Sequence, residues 1–97
     1  MPRPQAKRRA RKAGWWVYLL RARDGSVYTG ISTDVERRLT VHNAGRGSKS
    51  LRGRLPATLI YREKSKDRSA AQKREAEIKR WPRARKLALV RTKRKGG

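Results

Sequence analysis

Two tyrosines, Tyr18 and Tyr28, an arginine and a histidine one helical turn apart, Arg38 and His42, and one glutamate, Glu75, are the side chains whose chemistry reaches beyond packing. Such a set can hydrolyse a phosphodiester, which needs a positioned water, a group to take its proton and positive charge at the phosphorus centre. A divalent cation supplies part of that charge. Glu75 is the acid left to hold one, because Asp24 belongs to a turn, Asp34 and Glu36 to the first turn of a helix, and Asp67 to the start of the next. Glu63 and Glu77 read as solvated strand and helix charges. A single carboxylate suits a hard cation that keeps several waters, as Mg2+ does. Each residue also has a plainer reading. Tyrosines pack in sheets, Arg38 snorkels at the margin of a core face, a helical histidine caps or packs, and Glu75 pairs with Lys79 at i, i+4.

Whether the tyrosines meet depends on the hairpin that carries them. The run WWVYLLRARDGSVYTGI, residues 15–31, places two β-prone stretches around Asp24-Gly25, a strong turn dipeptide. A two-residue turn there pairs Arg23 with Ser26 and sends the two phenols to opposite faces of the sheet. A three-residue loop, with Arg23 and Asp24 in a type I turn and Gly25 in the left-handed position, puts both on one face. Core packing accepts either register, so convergence of the phenols would itself point to a site.

Beyond the hairpin, Thr33 and Glu36 have capping-box spacing and predict a helix to about Asn43, ended by Gly45 and Gly47. On its wheel Val35, Leu39 and His42 share a side with Arg38 at the margin. Residues 44–55, AGRGSKSLRGRL, read as a flexible basic loop whose Arg46, Lys49, Arg52 and Arg54 can lie along a phosphate chain. Pro56 to Lys64 gives a third strand, with Tyr61 assigned to packing. Ser69 and Gln72 repeat the capping-box spacing before a second helix to Arg80, with Ala71 and Ile78 buried and Glu75 at the edge of the stripe. Pro82 interrupts the pattern. A short third helix carries Ala84, Leu87, Ala88 and Val90, followed by a frayed basic tail.

Ninety-seven residues allow one modest core. A formal charge of +22, from 29 Lys and Arg against 7 Asp and Glu, calls for a polyanion, and nucleic acid is the leading partner. With no cysteine and one histidine, disulfides, thiolate zinc sites and multi-histidine metal cages are excluded. The longest apolar run, Trp15 to Leu20, is far below a membrane span, and the basic N-terminal stretch has no apolar core of a secretory signal. A soluble cytoplasmic protein without membrane attachment is the expectation.

Trp16-Val17-Tyr18 and Tyr28-Thr29-Gly30, followed by ISTDVERRLTVHN and the Arg74-Glu75 pair, resemble the GIY-YIG nuclease superfamily in its small single-domain branch, akin to the N-terminal nuclease domain of a DNA-repair excinuclease. Trp16 stands where the first motif half has glycine. The resemblance implies an α+β fold, a small three-stranded antiparallel sheet flanked by helices, with residues 15–91 as the nuclease-like domain between a disordered basic arm, 1–14, and a basic tail, 92–97. It implies an endonuclease using one Mg2+ or Mn2+ on nucleic acid, with DNA favoured over RNA and DNA repair or processing as one setting; a monomer is favoured, and the oligomeric state stays open. By the same resemblance Tyr18 is the general base, Tyr28 its partner, Arg38 and His42 act on the phosphate, and Glu75 holds the metal. The alternative is a basic nucleic-acid-binding module without catalysis.

Overall fold

The computed structural model describes residues 14–96. The basic arm expected over residues 1–14 therefore lies, except for Gly14, outside the described residues. Three strands, β1 (Trp15–Arg21), β2 (Val27–Ser32) and β3 (Thr58–Ser65), form an antiparallel sheet in the order β2-β1-β3. Helices α1 (Val35–Asn43) and α2 (Lys49–Arg52) lie between β2 and β3, and α3 (Arg68–Lys79) and α4 (Arg83–Gly96) follow β3. The expected sheet and class are those observed.

The central strand explains its own composition. Tyr18, Leu20 and Ala22 pack with Val35, Leu51 and Ala57 beneath α1 and α2, whereas Val17 and Leu19 pack with Ala71, Ile78 and Val90 beneath α3 and α4. A strand covered on both faces reads as a continuous apolar run, as Trp15 to Leu20 does. A bulge between the Leu19–Tyr61 and Leu20–Leu59 pairs leaves Ile60 extra on β3, so Ile60 and Tyr61 both face the α3 side.

The hairpin takes the three-residue loop. Trp16 pairs with Ser32, Tyr18 with Gly30 and Arg21 with Val27. Gly25 N–H donates to Ala22 O at 2.9 Å across Arg23 and Asp24, Ala22 N–H donates to Ser26 O at 2.8 Å, and Gly25 has φ +89°. That conformation belongs to glycine. Tyr18 and Tyr28 therefore share a face.

Several expectations are corrected. Asp34, not Thr33, caps α1, its carboxylate accepting from Arg37 N–H at 3.1 Å. Asp67, not Ser69, caps α3, accepting from Ala70 N–H at 2.8 Å. In both places a carboxylate just outside the strand end wins over the hydroxyl because it also carries charge to the positive end of the helix. Glu36, freed from capping, pairs with Arg62 of β3 at 2.6 Å. The flexible loop contains α2, which Ser48 caps and Leu51, 2% exposed, pins into the core. The last helix runs past Val90 to Gly96, because the Lys and Arg that follow are good helix formers and no breaker precedes the final glycines.

Glu63 and Glu77 are not idle solvated charges. Glu63 takes a two-pronged grip from Arg74, Nε at 2.7 Å and Nη2 at 3.3 Å, and accepts from the Tyr61 hydroxyl, while Glu77 accepts from Arg74 Nη1 at 3.1 Å. This network ties α3 to β3, and it gives Tyr61 a polar partner in addition to its packing. Burial pushes the Tyr61 phenol up to about 12, with Glu63 adding to the rise.

Leu20 is fully buried on the α1 side of β1. Leu20→Ala is expected to lower the unfolding free energy by about 2–5 kcal/mol, read as a lower urea midpoint at unchanged m-value.

Candidate active site

The site is assembled around one phenol. Tyr18, 1% exposed in the middle of β1, reaches across Gly30 of the edge strand β2. A Cβ at position 30 would lie 2.6 Å from Tyr18 Oη, so only glycine leaves the ring this path. At the end of the path Oη meets His42 Nε2 at 3.0 Å. His42 is also 1% exposed, brought inward by the same helical face that buries Val35.

The other ring nitrogen fixes the proton. Ser48 N–H donates to His42 Nδ1 at 3.2 Å, so Nδ1 carries no hydrogen. Burial, and then the nearby Arg38 charge, hold the imidazole below its usual pKa and keep it neutral. The single ring hydrogen therefore sits on Nε2 and is donated to Tyr18 Oη. Tyr18 keeps its own hydroxyl hydrogen for another acceptor. The chain can approach the imidazole this closely because the residue before Ser48 is Gly47, where a Cβ would lie 2.1 Å from Nδ1. In sequence Gly47 reads only as a helix terminator, and nothing local marks the contact.

Tyr28 completes a cluster of three rings. Its centroid is 5.1 Å from that of His42, edge-on at 67°, and 6.3 Å from that of Tyr18. Burial pushes the Tyr18 phenol up to about 12, with Tyr28 adding to the rise and the Arg38 guanidinium opposing it. Glu75, on α3, is close enough for its charge also to raise Tyr18. Of the five residues singled out by type, His42 meets the Tyr18 oxygen and Tyr28 packs against both rings, whereas Arg38 and Glu75 bear on the phenol through their charge. The Glu75 side chain is 22% exposed and its Oε2 lies 3.5 Å from Lys79 Nζ, so the plainer reading of this residue is also realised.

The basic residues expected to hold a phosphate backbone do not form one set. Arg46 is exposed beside Gly47, and Lys49 and Arg52 are exposed on α2. Arg54 instead turns to the hairpin, its Nε 3.5 Å from Asp24 Oδ2 and its Nη1 3.3 Å from Ser26 Oγ. Asn43, which in sequence shows only as the end of a helix, clamps Ala57 by donating to its carbonyl at 3.0 Å and accepting from its N–H at 2.7 Å. This joins the end of α1 to the approach to β3.

Comparison with known proteins gives the same class. Residues 14–88 match the family model of the GIY-YIG catalytic domain. A UPF0213 protein of Desulfotalea psychrophila is 44% identical over 95 residues, covering 97% of this chain and 83% of its own length. One from Natronomonas pharaonis is 47% identical, covering 80% and 92%. The solution structure of a UPF0213 protein from Bacillus halodurans superposes with a TM-score of 0.53 at 40% identity, over 81% of this chain and 84% of that one. That of an E. faecalis protein gives 0.55 at 42% identity, over 79% and 82%. The chain belongs to the GIY-YIG family, a family of nucleases. Within it, its relatives are the small UPF0213 proteins.

A neutral buried histidine makes stability depend on pH. Its folded pKa lies below the unfolded value, so the unfolded chain binds the extra proton first and the stabilisation is lost as pH falls below about 6.5. Unfolding free energy is expected to drop between pH 7 and 5, above the range where the carboxylates titrate. His42→Gln should flatten that part of the profile in urea titrations at several pH values.

Proposed function

We propose that this protein is a metal-dependent endonuclease that hydrolyses phosphodiester bonds of nucleic acid, DNA in preference to RNA, through the Tyr18 site. The observation that carries the reading is the buried Tyr18–His42 pair, with its proton fixed on Nε2 and with Arg38 and Glu75 acting on the same phenol. Such an arrangement does more than packing requires. A core tyrosine needs one hydrogen-bond partner; here an orientated imidazole meets the oxygen at 3.0 Å and a cation and a carboxylate both lie near enough to shift its ionisation.

The donor set fits a hard divalent cation held weakly by the protein. Among the described residues no group of three or more acids and histidines converges, and Glu75 stands alone as an oxygen ligand. Mg2+ commonly accepts such a site, taking one carboxylate and filling its remaining positions with water and substrate phosphate. When bound there it would supply Lewis-acid stabilisation of the charge that develops on the phosphate oxygens.

The chain's own residues would divide the remaining work. Tyr18, once ionised, takes a proton from the water whose oxygen bonds to phosphorus, while one ester P–O bond breaks and the leaving oxygen is protonated from solvent. His42 donates to Oη throughout and so stabilises the phenolate. Its Nδ1 is committed to Ser48, which makes it a poor proton acceptor and supports Tyr18 as the base. Arg38 favours the same phenolate and is exposed enough to meet a phosphate oxygen. Tyr28 walls the oxygen from the side. A pKa of about 12 leaves little phenolate near neutrality, so rate should depend on how far substrate and cation lower it.

A binding module without catalysis is the second reading, favoured by the Glu75–Lys79 pair and the protonated phenol. Cleavage of labelled single-stranded, duplex and branched DNA with Mg2+, Mn2+ or chelator separates the two. Metal-dependent cutting is expected, with a rate that climbs with pH from 7 to 9 as phenolate becomes available. Tyr18→Phe should lower the rate by about 10²–10⁴ and remove the climb, and Glu75→Ala should abolish the metal response, both with DNA binding retained. Equal cutting by all three proteins, or none on any substrate, would eliminate the nuclease reading of this site.

A further inference from the structure

The described cationic side chains divide by what holds them. Arg54, Arg62, Arg74 and Lys79 each meet a carboxylate, at 3.5, 2.6, 2.7 and 3.5 Å, and their charge is offset on the spot. Two others are held by uncharged backbone carbonyls. Arg83 donates from Nε to Gly25 O at 2.9 Å, and Arg23 from Nη2 to Gly53 O at 3.4 Å. A carbonyl orients a guanidinium without neutralising it and leaves its remaining N–H groups for another acceptor.

Both of these arginines line one open cleft of about 480 Å³ between the β1–β2 turn, Pro56 and Thr58 at the approach to β3, and Arg83 at the start of α4. Arg21 adds a third guanidinium there, exposed and without a hydrogen bond or ion pair among the described residues. Asp24 is the acid in the cleft, but its carboxylate already accepts from Ser26 N–H at 3.0 Å and Ser26 Oγ at 2.7 Å and faces Arg54. Three cations with planar forks, and an acid already engaged, form a receptor for phosphate oxygens. Arg21 shares its sheet face with Val17 and Leu19 and Arg83 opens α4, whereas Arg23 reaches Gly53 at the end of α2, so the group wraps the turn end of the sheet.

The geometry points to a second nucleic-acid surface: the turn-end cleft takes the phosphodiester backbone of a segment other than the one presented to Tyr18. The assignment rests on the nucleic-acid reading above but not on catalysis. Among the described residues no base-reading element accompanies the three arginines, so the grip is on the backbone, whatever its sequence. Held at the turn end of its sheet as well as beside Tyr18, the protein favours substrates that present two segments at once, such as branched or sharply bent ones.

The test is binding of the full chain to DNA and RNA duplexes without divalent metal, over a salt series, so that a protein that fails to cut still reports on the cleft. The triple variant Arg21→Gln, Arg23→Gln, Arg83→Gln is compared with the charge-matched Lys66→Gln, Lys73→Gln, Arg80→Gln. The latter residues are exposed and make no side-chain bond among the described residues. The cleft triple is expected to flatten the slope of log K against log salt by roughly 2–3, the control by less than 1, and only the cleft triple should lose the ability to hold two labelled duplexes together. Arg21→Glu against Lys73→Glu repeats the comparison without touching any internal contact, should the triple variant unfold. Equal changes in slope for the paired variants would overturn the proposal. So would cleft-dependent binding to phosphatidylserine vesicles that persists in excess duplex.

Discussion

The hydrogen bond between Tyr18 Oη and His42 Nε2 is made where neither side chain has more than about one hundredth of its surface in contact with solvent. A hydroxyl and an imidazole buried at that depth must satisfy each other or be paid for elsewhere in stability. Much of the surrounding structure can be understood as the set of conditions for that bond. Gly30 clears the path of the phenol, Gly47 lets the chain fold over the imidazole, and the Ser48 amide saturates its far side. Helix α2, pinned by Leu51, keeps that amide in place.

A buried polar pair of this kind imposes a direction on the chemistry. Since the imidazole gives its hydrogen bond to the phenol, charge on the oxygen is stabilised from within the protein, and the phenol's own hydrogen is left for another acceptor. Desolvation opposes ionisation, and Arg38 favours it. A phenol balanced in this way would shift its ionisation strongly with any positive charge brought close to it, because in a dry setting each added charge acts with little screening.

Much of the fold is legible from residues 15–31 alone, because a glycine at position 25 and an apolar run long enough for a strand covered on both sides leave few alternatives. His42 is legible as inward-facing for the same reason that Val35 is. The caps are not, because capping-box spacing at Thr33 and Ser69 ignores where the preceding strand ends, and that depends on pairing across the sheet. Helix α2 hides within the basic segment 44–55 because one leucine among glycines and arginines carries little periodic signal, yet Leu51 fills the space left between Tyr18, Leu20 and Val35. Glu63 and Arg74 are eleven positions apart, and the bulge on β3 that helps to set their face has no local mark. Gly30 and Gly47 show the limit most plainly. A glycine required by a distant side chain looks, in sequence, like any other.

The three-residue turn between Ala22 and Ser26 has a consequence for how such a protein can change over time. A slip of β2 by one position against β1, closing a two-residue turn on Asp24-Gly25, would turn Tyr28 to the far side of the sheet while the backbone ladder could still form. A folded protein would result, with its ring cluster broken. A residue gained or lost inside the turn can be absorbed by a loop of another length closing the same Ala22–Ser26 pair, so keeping the site constrains the register of the two strands and not the length of what joins them.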